Sequence, residues 1–304
     1  MKNKPAKLHS KTGKITGHAV QNWTFLRLLP LYIATKVEDA TDSIWQLTLE
    51  LIELVDLVMA PKLADAQVCY LRVLTGSYLH HRQVSFPEVK LRPKHHYITH
   101  YCELIQEYGP LCHVWTLRFE SKHRYFKDCI RSMGNFKNVT KSLSERHQLF
   151  QSYLSSRGLF REEEHVYMKD HDEASHLLHL QDFVLQNPEI FENASLCRKV
   201  VIKGTTYAMN DYVLVSGTRS EVCFGIILGI VSSGSGQTTF LVRHVAATFL
   251  PYVFMYKLHK RAGEIVHLLP DQLLDRTPYR PYFFGINSVI RLNFSFPLLC
   301  SPHT

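Results

Sequence analysis

VCFGIILGIVSSGSGQTTFLVRHV, residues 222–245, has a hydrophobic pattern typical of a β-sheet. Apolar and β-branched residues fill both of its ends, and the small polar residues SSGSGQ at 232–237 separate them, which is typical of two strands joined by a loop. The stretch therefore predicts a β-hairpin with strands around 223–231 and 238–245.

Shorter runs of the same kind surround this hairpin from Lys199 onward. They are KVVIKG (199–204), DYVLVSG (211–217) and YVFMYKL (252–258). PYFFGINSVIRLNF at 281–294 predicts a second hairpin that turns at 285–288. Several short strands in one region predict a small β-barrel-like domain over residues 199–304.

Upstream of residue 156 the apolar residues recur every three or four positions, which is typical of helices. DSIWQLTLELIELVDLVMAP is the clearest case, with Asp42 as the predicted N-cap and Pro61 as the stop. Its predicted core-facing stripe is Ile44, Leu47, Leu51, Leu54, Val55 and Val58. Further helices are predicted in ADAQVCYLRVLTGSYLHHRQVSF, KHHYITHYCELIQEYGP, LRFESKHRYFKDCIRSM and NFKNVTKSLSERHQLFQSYL.

These patterns predict an α+β fold, with an all-helical N-terminal region followed by a small β-rich domain. The run REEEHVYMKDHDEASH lacks an apolar period and is typical of a solvated connector. The predicted organisation is a basic tail at 1–20, a helical region at 21–155, a charged linker at 156–198 with a short helix around 176–187, and a β-rich domain at 199–304.

The balance of charge favours an anionic partner. The chain of 304 residues has 35 Lys and Arg against 27 Asp and Glu, a formal net charge of +8, and a pI near 9.0. Nucleic acid is the first candidate for that partner. A basic soluble protein without such a partner fits the composition equally well.

Two motifs that are absent from the sequence reduce the number of functions that we expect. No G-x-x-x-x-G-K-[ST] loop and no G-x-S-x-G occurs, so we expect neither a nucleotide nor a serine-hydrolase site. Seven cysteines without a C-x-x-C, and no apolar leader, predict reduced thiols in the nucleus or the cytoplasm. The apolar run FLRLLPLYIA contains Arg27 and Pro30 and falls short of the about 20 residues that span a bilayer, so we expect no membrane insertion.

Three histidines lie close together in RPKHHYITHY, residues 92–101. On a helix, His96 and His100 project from the same face, whereas His95 and His100 are five residues apart and need an irregular helix start. Either pair can supply two of the four ligands of a structural zinc site, and no C-x-x-C is present to supply the others. Histidines of a partly buried aromatic helix without a metal are the simpler interpretation.

Glu120, in the segment RFESKH, begins a charged stripe on a predicted helix. Arg124, Lys127 and Arg131 follow it at helical spacing on the same face. One interpretation is a surface ion pair of Glu120 with Arg124, worth about 0.3–0.5 kcal/mol. The other is a metal-binding carboxylate beside a phosphate-binding track. The candidate phosphate-binding residues are Lys122, Arg124, Lys127, Arg131, Lys137 and Lys141.

Four segments lie in a fixed order between about residues 14 and 155: NWTFLRLLP, KLRPKHHYITHY, YGPLCHVWTLRFESKHRYFK and NFKNVTKSLSERHQLF. Together they resemble the C-terminal half of transposases of the CACTA (En/Spm) and Chapaev-like group. The resemblance implies an RNase H-like core with a DDE triad of acids, in which Glu120 corresponds to the third acid. It implies that the helical region is the end of this core plus a helical insertion, and that His95 and His100 are half of a zinc site.

Two features of that group are missing here. In that group the two triad aspartates lie on upstream strands, but here the upstream residues Asp39, Asp42, Asp56 and Asp65 lie in predicted helices or caps. The C-x-x-C half of the zinc site is also absent. Three converging carboxylates are needed to hold the two Mg²⁺ or Mn²⁺ ions of an in-line phosphoryl transfer. The resemblance therefore implies the C-terminal part of a transposase, truncated or domesticated, which is nuclear, associates with DNA and does not cleave it alone.

Two other functions stay open at this point. Another chain could supply the aspartates in trans, which would restore a nuclease that depends on Mg²⁺ or Mn²⁺. Alternatively, the helical region and the β domain form a module for a protein partner or for self-association, with an aromatic cage for a peptide or methyl-lysine. The candidate cage residues are Tyr207, Tyr212, Phe224, Tyr252 and Phe254.

Overall fold

The computed structural model describes residues 7–9, 14–134, 136–156, 166–169, 181–188, 194–233, 237–259, 263–293 and 296. Helices occupy the N-terminal half and a curled antiparallel sheet occupies the C-terminal half, which confirms the predicted α+β class. Within these ranges, no helix combines the length and the apolar character that crossing a lipid bilayer requires.

The first seven helices follow one another with short connections, and the eighth comes later, after the first strand of the sheet. In chain order they are α1 (Ala19–Ile33), α2 (Ser43–Val58), α3 (Asp65–Ser85), α4 (Pro93–Tyr97), α5 (Tyr101–Tyr108), α6 (Leu117–Met133), α7 (Val139–Ser156) and α8 (Gln181–Gln186). A two-stranded antiparallel ribbon of β1 (Lys7–His9) and β2 (Lys14–Thr16) precedes them. The range predicted as a basic tail therefore contains a hairpin.

Helix α2 begins and ends where its sequence predicts. Asp42 Oδ1 accepts a hydrogen bond from the Trp45 amide at 2.9 Å, and the helix ends shortly before Pro61. The predicted stripe covers only part of what the helix buries, because Ile44 is exposed whereas Trp45 and Ile52 are buried. Helix α2 is buried on two sides: one packs on α3 and α5, and the other meets α1 and the sheet.

The sheet contains eleven strands among the described residues, and all their pairings are antiparallel. The strands are β3 (Val166–Lys169), β4 (Ala194–Ile202), β5 (Thr205–Ala208), β6 (Tyr212–Gly217), β7 (Glu221–Ser233), β8 (Thr238–Leu250), β9 (Met255–Leu258), β10 (Ile265–Leu268), β11 (Asp275–Tyr279), β12 (Tyr282–Phe284) and β13 (Asn287–Ile290). The main order is β11-β6-β7-β8-β9-β13-β12. In addition, β4 pairs with β3, β5 and β7, and β10 pairs with β8.

The predicted hairpin of β7 and β8 is confirmed, and it forms the centre of the sheet. Strand β7 pairs with β6 along its first half and with β4 along its second half, which curls the sheet into a half-barrel. Phe224 and Ile226 enter one apolar core, and Ile227 and Ile230 enter the other. A bulge between Ile227 and Gly229 offsets the usual alternation of side chains, so both later isoleucines face the second core.

The second predicted hairpin is also present. Strands β12 and β13 are joined at Gly285, whose φ of +58° lies in the left-handed region that glycine adopts at low cost. The range 156–198, predicted as a charged linker, contributes strand β3 and the start of β4 to the sheet, and α8 lies within the span predicted for a short helix. Part of that range therefore belongs to the folded sheet.

An ion cluster on α2 joins the helical half to the sheet half. Arg291, which follows β13, donates from Nη2 to Asp56 Oδ2, and Arg27 Nε of α1 lies 3.7 Å from Asp56 Oδ1. The side chains of Asp56 and Arg291 are only 8% and 4% exposed. One helical turn earlier, Glu53 accepts a hydrogen bond from Arg219 of the β6–β7 turn. Charges from both halves therefore meet at one buried place.

Burial sets the electrostatics of this cluster. Removal from water raises the pKa of Asp56 and lowers the pKa of Arg291, and the positive charges of Arg291 and Arg27 act against the rise at Asp56. A single unpaired charge at this depth costs several kcal/mol, so each member is tolerated only because its partner is present. Around the cluster, Leu28 and Leu31 of α1 pack against the β9–β13 end of the sheet.

We expect Arg291→Met to lower the free energy of unfolding by about 3 kcal/mol, because it leaves the buried Asp56 without its hydrogen-bonded partner and with only Arg27, at 3.7 Å, as a counter-charge. The double variant Arg291→Met/Asp56→Leu removes both charges and should recover most of that loss. Urea unfolding followed by circular dichroism measures both. As a control, Arg276→Met breaks the exposed pair with Asp271 and should change the stability by at most about 1 kcal/mol. A double variant no more stable than the single one contradicts this account.

Candidate nucleic-acid interface

Most of the excess positive charge lies on the helical hairpin formed by α6 and α7. Helix α6 ends at Gly134, whose φ of +60° is the left-handed C-cap conformation, and α7 begins soon afterwards at Val139. Residues 117–156 include eight Lys or Arg and three Asp or Glu, which is a net +5 of the chain's +8. The positive charge is therefore concentrated on the α6–α7 hairpin and is not spread evenly along the chain.

All six predicted phosphate-binding residues are exposed. On α6, Asp128 lies 3.8 Å from Arg124 and 3.4 Å from Arg131, so two bases share one acid. The predicted pairing of Glu120 with Arg124 did not take Asp128 into account, although its spacing from both arginines is visible in the sequence. Exposed pairs of this kind are worth at most about 1 kcal/mol, so a phosphate can replace the carboxylate.

Lys122 differs from the other five bases in its position. Its Nζ lies 3.2 Å from His147 Nε2 of α7 and 5.7 Å from the centroid of the Tyr125 ring. Tyr125 in turn stacks on Phe150 with ring centroids 5.7 Å apart. Lys122 therefore lies at the contact between the two helices, about half a turn around α6 from the stripe that begins at Glu120.

The α6–α7 hairpin also presents apolar side chains to solvent. Phe136, Leu149 and Tyr153 are 74%, 71% and 49% exposed, and α7 contains no buried residue. Exposed rings next to lysines are a combination that stacks on unpaired bases or contacts a protein partner.

Glu120 lies in the first turn of α6, and its side chain is exposed. Its amide donates to the Thr116 carbonyl at 2.9 Å, so the carboxylate is near the helix N-terminus, where the helix dipole favours negative charge. Within the part of the chain that the structure describes, no three His, Cys, Asp or Glu side chains are grouped so that they could hold a metal ion.

The upstream aspartates have local structural roles. Asp39 Oδ1 accepts from the Thr41 amide at 2.7 Å, Asp42 caps α2, and Asp56 belongs to the buried ion cluster. Asp65 lies in the first turn of α3. Asp42, Asp56 and Asp65 therefore lie in the helical and capping contexts that the sequence predicts, whereas Asp39 lies in the turn before α2. Among the described residues, none of the four is brought to Glu120 as part of a metal-binding group.

The histidines are arranged differently from the His95–His100 pair that the resemblance implies. His95 Nδ1 accepts a hydrogen bond from the Arg92 amide at 2.8 Å and so caps α4; burial, helped by the charge of Arg82, lowers its pKa. His100 instead faces His96, with the two Nε2 atoms 3.2 Å apart. On its other side, His100 Nδ1 lies 3.3 Å from Glu103 Oε2.

The 3.2 Å between the two Nε2 atoms of the His96–His100 pair is the length of a hydrogen bond between the rings and also matches the spacing of two ligands on one cation. Two imidazole nitrogens that bind zinc at about 2.0–2.1 Å with tetrahedral geometry are about 3.3 Å apart, close to the spacing of the pair. A carboxylate on the other ring nitrogen, as Glu103 provides for His100, is the usual support of a metal-binding histidine. The remaining ligands would come from outside this pair.

The aromatic residues considered for a cage do not surround an open site. Tyr207, Tyr212 and Phe224 are buried in the two cores of the sheet, so the cage prediction is wrong for these three. Their side chains are buried because residues alternate between the two faces along each strand and an apolar core covers each face. Phe254 packs at the contact with α2, and Tyr252 is partly exposed.

Any Zn²⁺ that the protein binds at this helix should be held by His96 and His100 and not by His95. His96→Ala and His100→Ala should each abolish the binding, and Glu103→Gln should weaken it about tenfold by removing support from His100. His95→Ala, the matched control, should leave the zinc affinity unchanged. Competition with a zinc-sensitive dye measures all four variants. Loss of binding in His95→Ala but not in His96→Ala would contradict the observed pairing and favour the pair implied by the resemblance.

Comparison with known proteins adds no relative. No model of a protein family matches the chain, and neither a curated protein nor a solved structure matches it. The likeness to CACTA-like transposases therefore rests on the order of the sequence motifs. The function is accordingly inferred from those motifs and from the placement of charge in the fold.

Proposed function

We propose that this chain is a transposase-derived protein that associates with DNA through the α6–α7 hairpin and does not cleave DNA alone. The observation that carries the proposal is the concentration of positive charge, with six exposed bases on one hairpin. Binding of this kind neutralises phosphates, releases counterions and needs no contact with base edges. The protein would act in the nucleus, with the cytoplasm as the alternative compartment.

The exposed bases are spaced for contact with several phosphates. Arg124, Lys127 and Arg131 lie on one face of α6 and span about 10 Å along its axis. Phosphates follow each other every 3.4 Å of axis along each strand of duplex DNA. Lys137 and Lys141 extend the charge past the turn into the first part of α7. The hairpin can therefore follow a phosphate backbone over more than one contact.

We expect no cleavage by this chain alone because the resemblance accounts for only one of the three acids of the triad. The helical half would be the end of an RNase H-like core plus its helical insertion, with Glu120 as the third acid. One carboxylate cannot hold the two ions of phosphoryl transfer, so Mg²⁺ or Mn²⁺ would act here only with aspartates from another chain. Zinc on the histidines would be a structural ion held by an incomplete site.

Two observations favour other candidate functions. The exposed side chain of Glu120 is accessible to a second chain, which favours a nuclease subunit whose triad is completed in trans. Exposed Phe136 and Leu149 favour a module for protein partners or self-association.

We expect the protein to bind duplex DNA with an affinity that falls steeply with salt. The variant Lys127→Gln/Lys137→Gln/Lys141→Gln should bind more weakly, and the slope of log affinity against log salt should fall by about one for each lysine that contacts a phosphate. Fluorescence anisotropy with a labelled duplex at several salt concentrations measures both quantities.

The matched control changes the same charge elsewhere. Lys36, Lys62 and Lys90 are exposed and lie outside the α6–α7 hairpin, so their triple glutamine variant should keep most of the affinity. Equal losses in the two triple variants would show that only net charge matters and would overturn the proposed interface.

We expect no nicking of supercoiled plasmid by the purified protein in Mn²⁺ or Mg²⁺, because two triad acids are missing. Agarose gels of the plasmid measure this directly. Metal-dependent nicking that disappears in Glu120→Gln would contradict the proposal and establish the nuclease instead.

A further inference from the structure

A small cavity lies beside the buried ion cluster of α2. Its volume is about 20 Å³, which is enough for one water molecule or one ion of similar size. Its lining combines charged groups with aromatic rings, among them Asp56, Arg219, Arg291, Phe249, Phe254 and Tyr256. The described lining contains no residue of the α6–α7 hairpin, so the cavity is separate from the proposed DNA interface.

Arg291 has one buried N–H group for which the described residues provide no acceptor. Its Nη1 donates to the Phe254 carbonyl, and its Nη2 donates to Asp56 Oδ2. Its Nε is closed to solvent, and no described residue accepts a hydrogen bond from it. A buried donor on a charged group is costly to leave without an acceptor. This N–H therefore indicates that the cavity holds a hydrogen-bond acceptor.

The ion cluster carries more positive than negative charge. Its described ion pairs join three guanidinium groups to two carboxylates, from Arg27, Arg219, Arg291, Glu53 and Asp56. One positive charge therefore has no counter-charge within these pairs. Because a charge that is removed from water needs a charge of opposite sign beside it, the cavity favours an occupant with one negative charge.

Tyr256 does not supply the missing negative charge. Burial raises the pKa of Tyr256 to about 12, although the charges of Arg219 and Arg291 act in the opposite direction. The phenol is therefore neutral near pH 7, and its Oη donates to the Arg219 carbonyl at 3.0 Å. Burial also raises the pKa of Asp56, and a proton taken up by that carboxylate would enlarge the positive excess.

The size and the lining of the cavity select among anions. Phosphate, sulfate and organic carboxylates have several heavy atoms and do not fit into about 20 Å³, whereas chloride is only slightly larger than a water molecule. The edges of aromatic rings carry partial positive charge, so the rings of the lining tolerate an anion at their edges. Arg219 also lines the cavity and is 33% exposed, so an ion can enter from that side.

We propose that this cavity binds one chloride ion, which accepts a hydrogen bond from Arg291 Nε and balances the excess positive charge of the ion cluster. Because the cluster joins the helical half to the sheet half, bound chloride stabilises the docking of the two halves. The proposal does not depend on DNA association, since the two sites share no described residue.

Thermal unfolding of the full chain at constant ionic strength tests the proposal. Sodium chloride replaces sodium gluconate stepwise, and gluconate is too large for the cavity. An ion that binds only the folded state raises stability with the logarithm of its concentration above the dissociation constant. We therefore expect the melting temperature to rise with chloride, whereas general screening stays the same in all mixtures.

Two variants remove the Nε N–H and leave the net charge of the cluster unchanged. They are Arg291→Lys, which keeps a cation for Asp56, and Arg291→Met/Asp56→Leu, which removes both charges. Each should raise the apparent dissociation constant of chloride about tenfold, the effect of one lost charge-assisted hydrogen bond. The matched control Arg276→Met/Asp271→Leu removes an exposed ion pair and should keep the chloride response of the unmodified chain.

Crystals grown in sodium bromide locate the ion directly, because bromide is only slightly larger than chloride and scatters anomalously. We expect one bromide within hydrogen-bonding distance of Arg291 Nε. Three results would overturn the proposal: equal melting temperatures in chloride and gluconate, which would assign the cavity to water; a chloride response that both Arg291 variants retain in full; and bromide bound only at other places.

Discussion

Asp56 of α2 is the point at which the helical half and the sheet half depend on each other. Its carboxylate faces Arg291 from the sheet and Arg27 from α1 at a place closed to water, where neither charge is stable alone. The pair forms only when both halves have taken up their final positions. We infer that the cluster specifies one docking of the helices on the sheet, whereas apolar contacts alone tolerate several arrangements.

The α6–α7 hairpin presents its basic surface through side chains alone. Its backbone groups are used within the two helices, so only side chains that reach outward can contact a partner, and this kind of surface suits phosphates. The half-barrel differs because its strands use their backbone groups to pair with one another across the curled sheet.

For the residues that resemble a catalytic core, agreement with the sequence motif does not mean that their side chains meet in space. Glu120 occupies a helix start, as the resemblance implies, yet the upstream aspartates are engaged in capping or in the buried cluster. His100 turns toward His96 because four residues, unlike five, bring two side chains to the same helical face. The order of motifs carries the resemblance, whereas the local contacts show which side chains meet.

Short-range patterns were enough to establish the β7–β8 hairpin, the Asp42 cap, the α+β class and the exposed bases of α6, because each depends on residues a few positions apart. They could not reveal the second buried side of α2 or the pairing of Asp56 with Arg291 across 235 residues. Periodicity indicates that one face of a helix or strand is apolar, but it does not indicate which distant element covers that face. The curl of the sheet likewise arises because β7 pairs with β6 along its first half and with β4 along its second half, a property of strand pairing that no single segment contains.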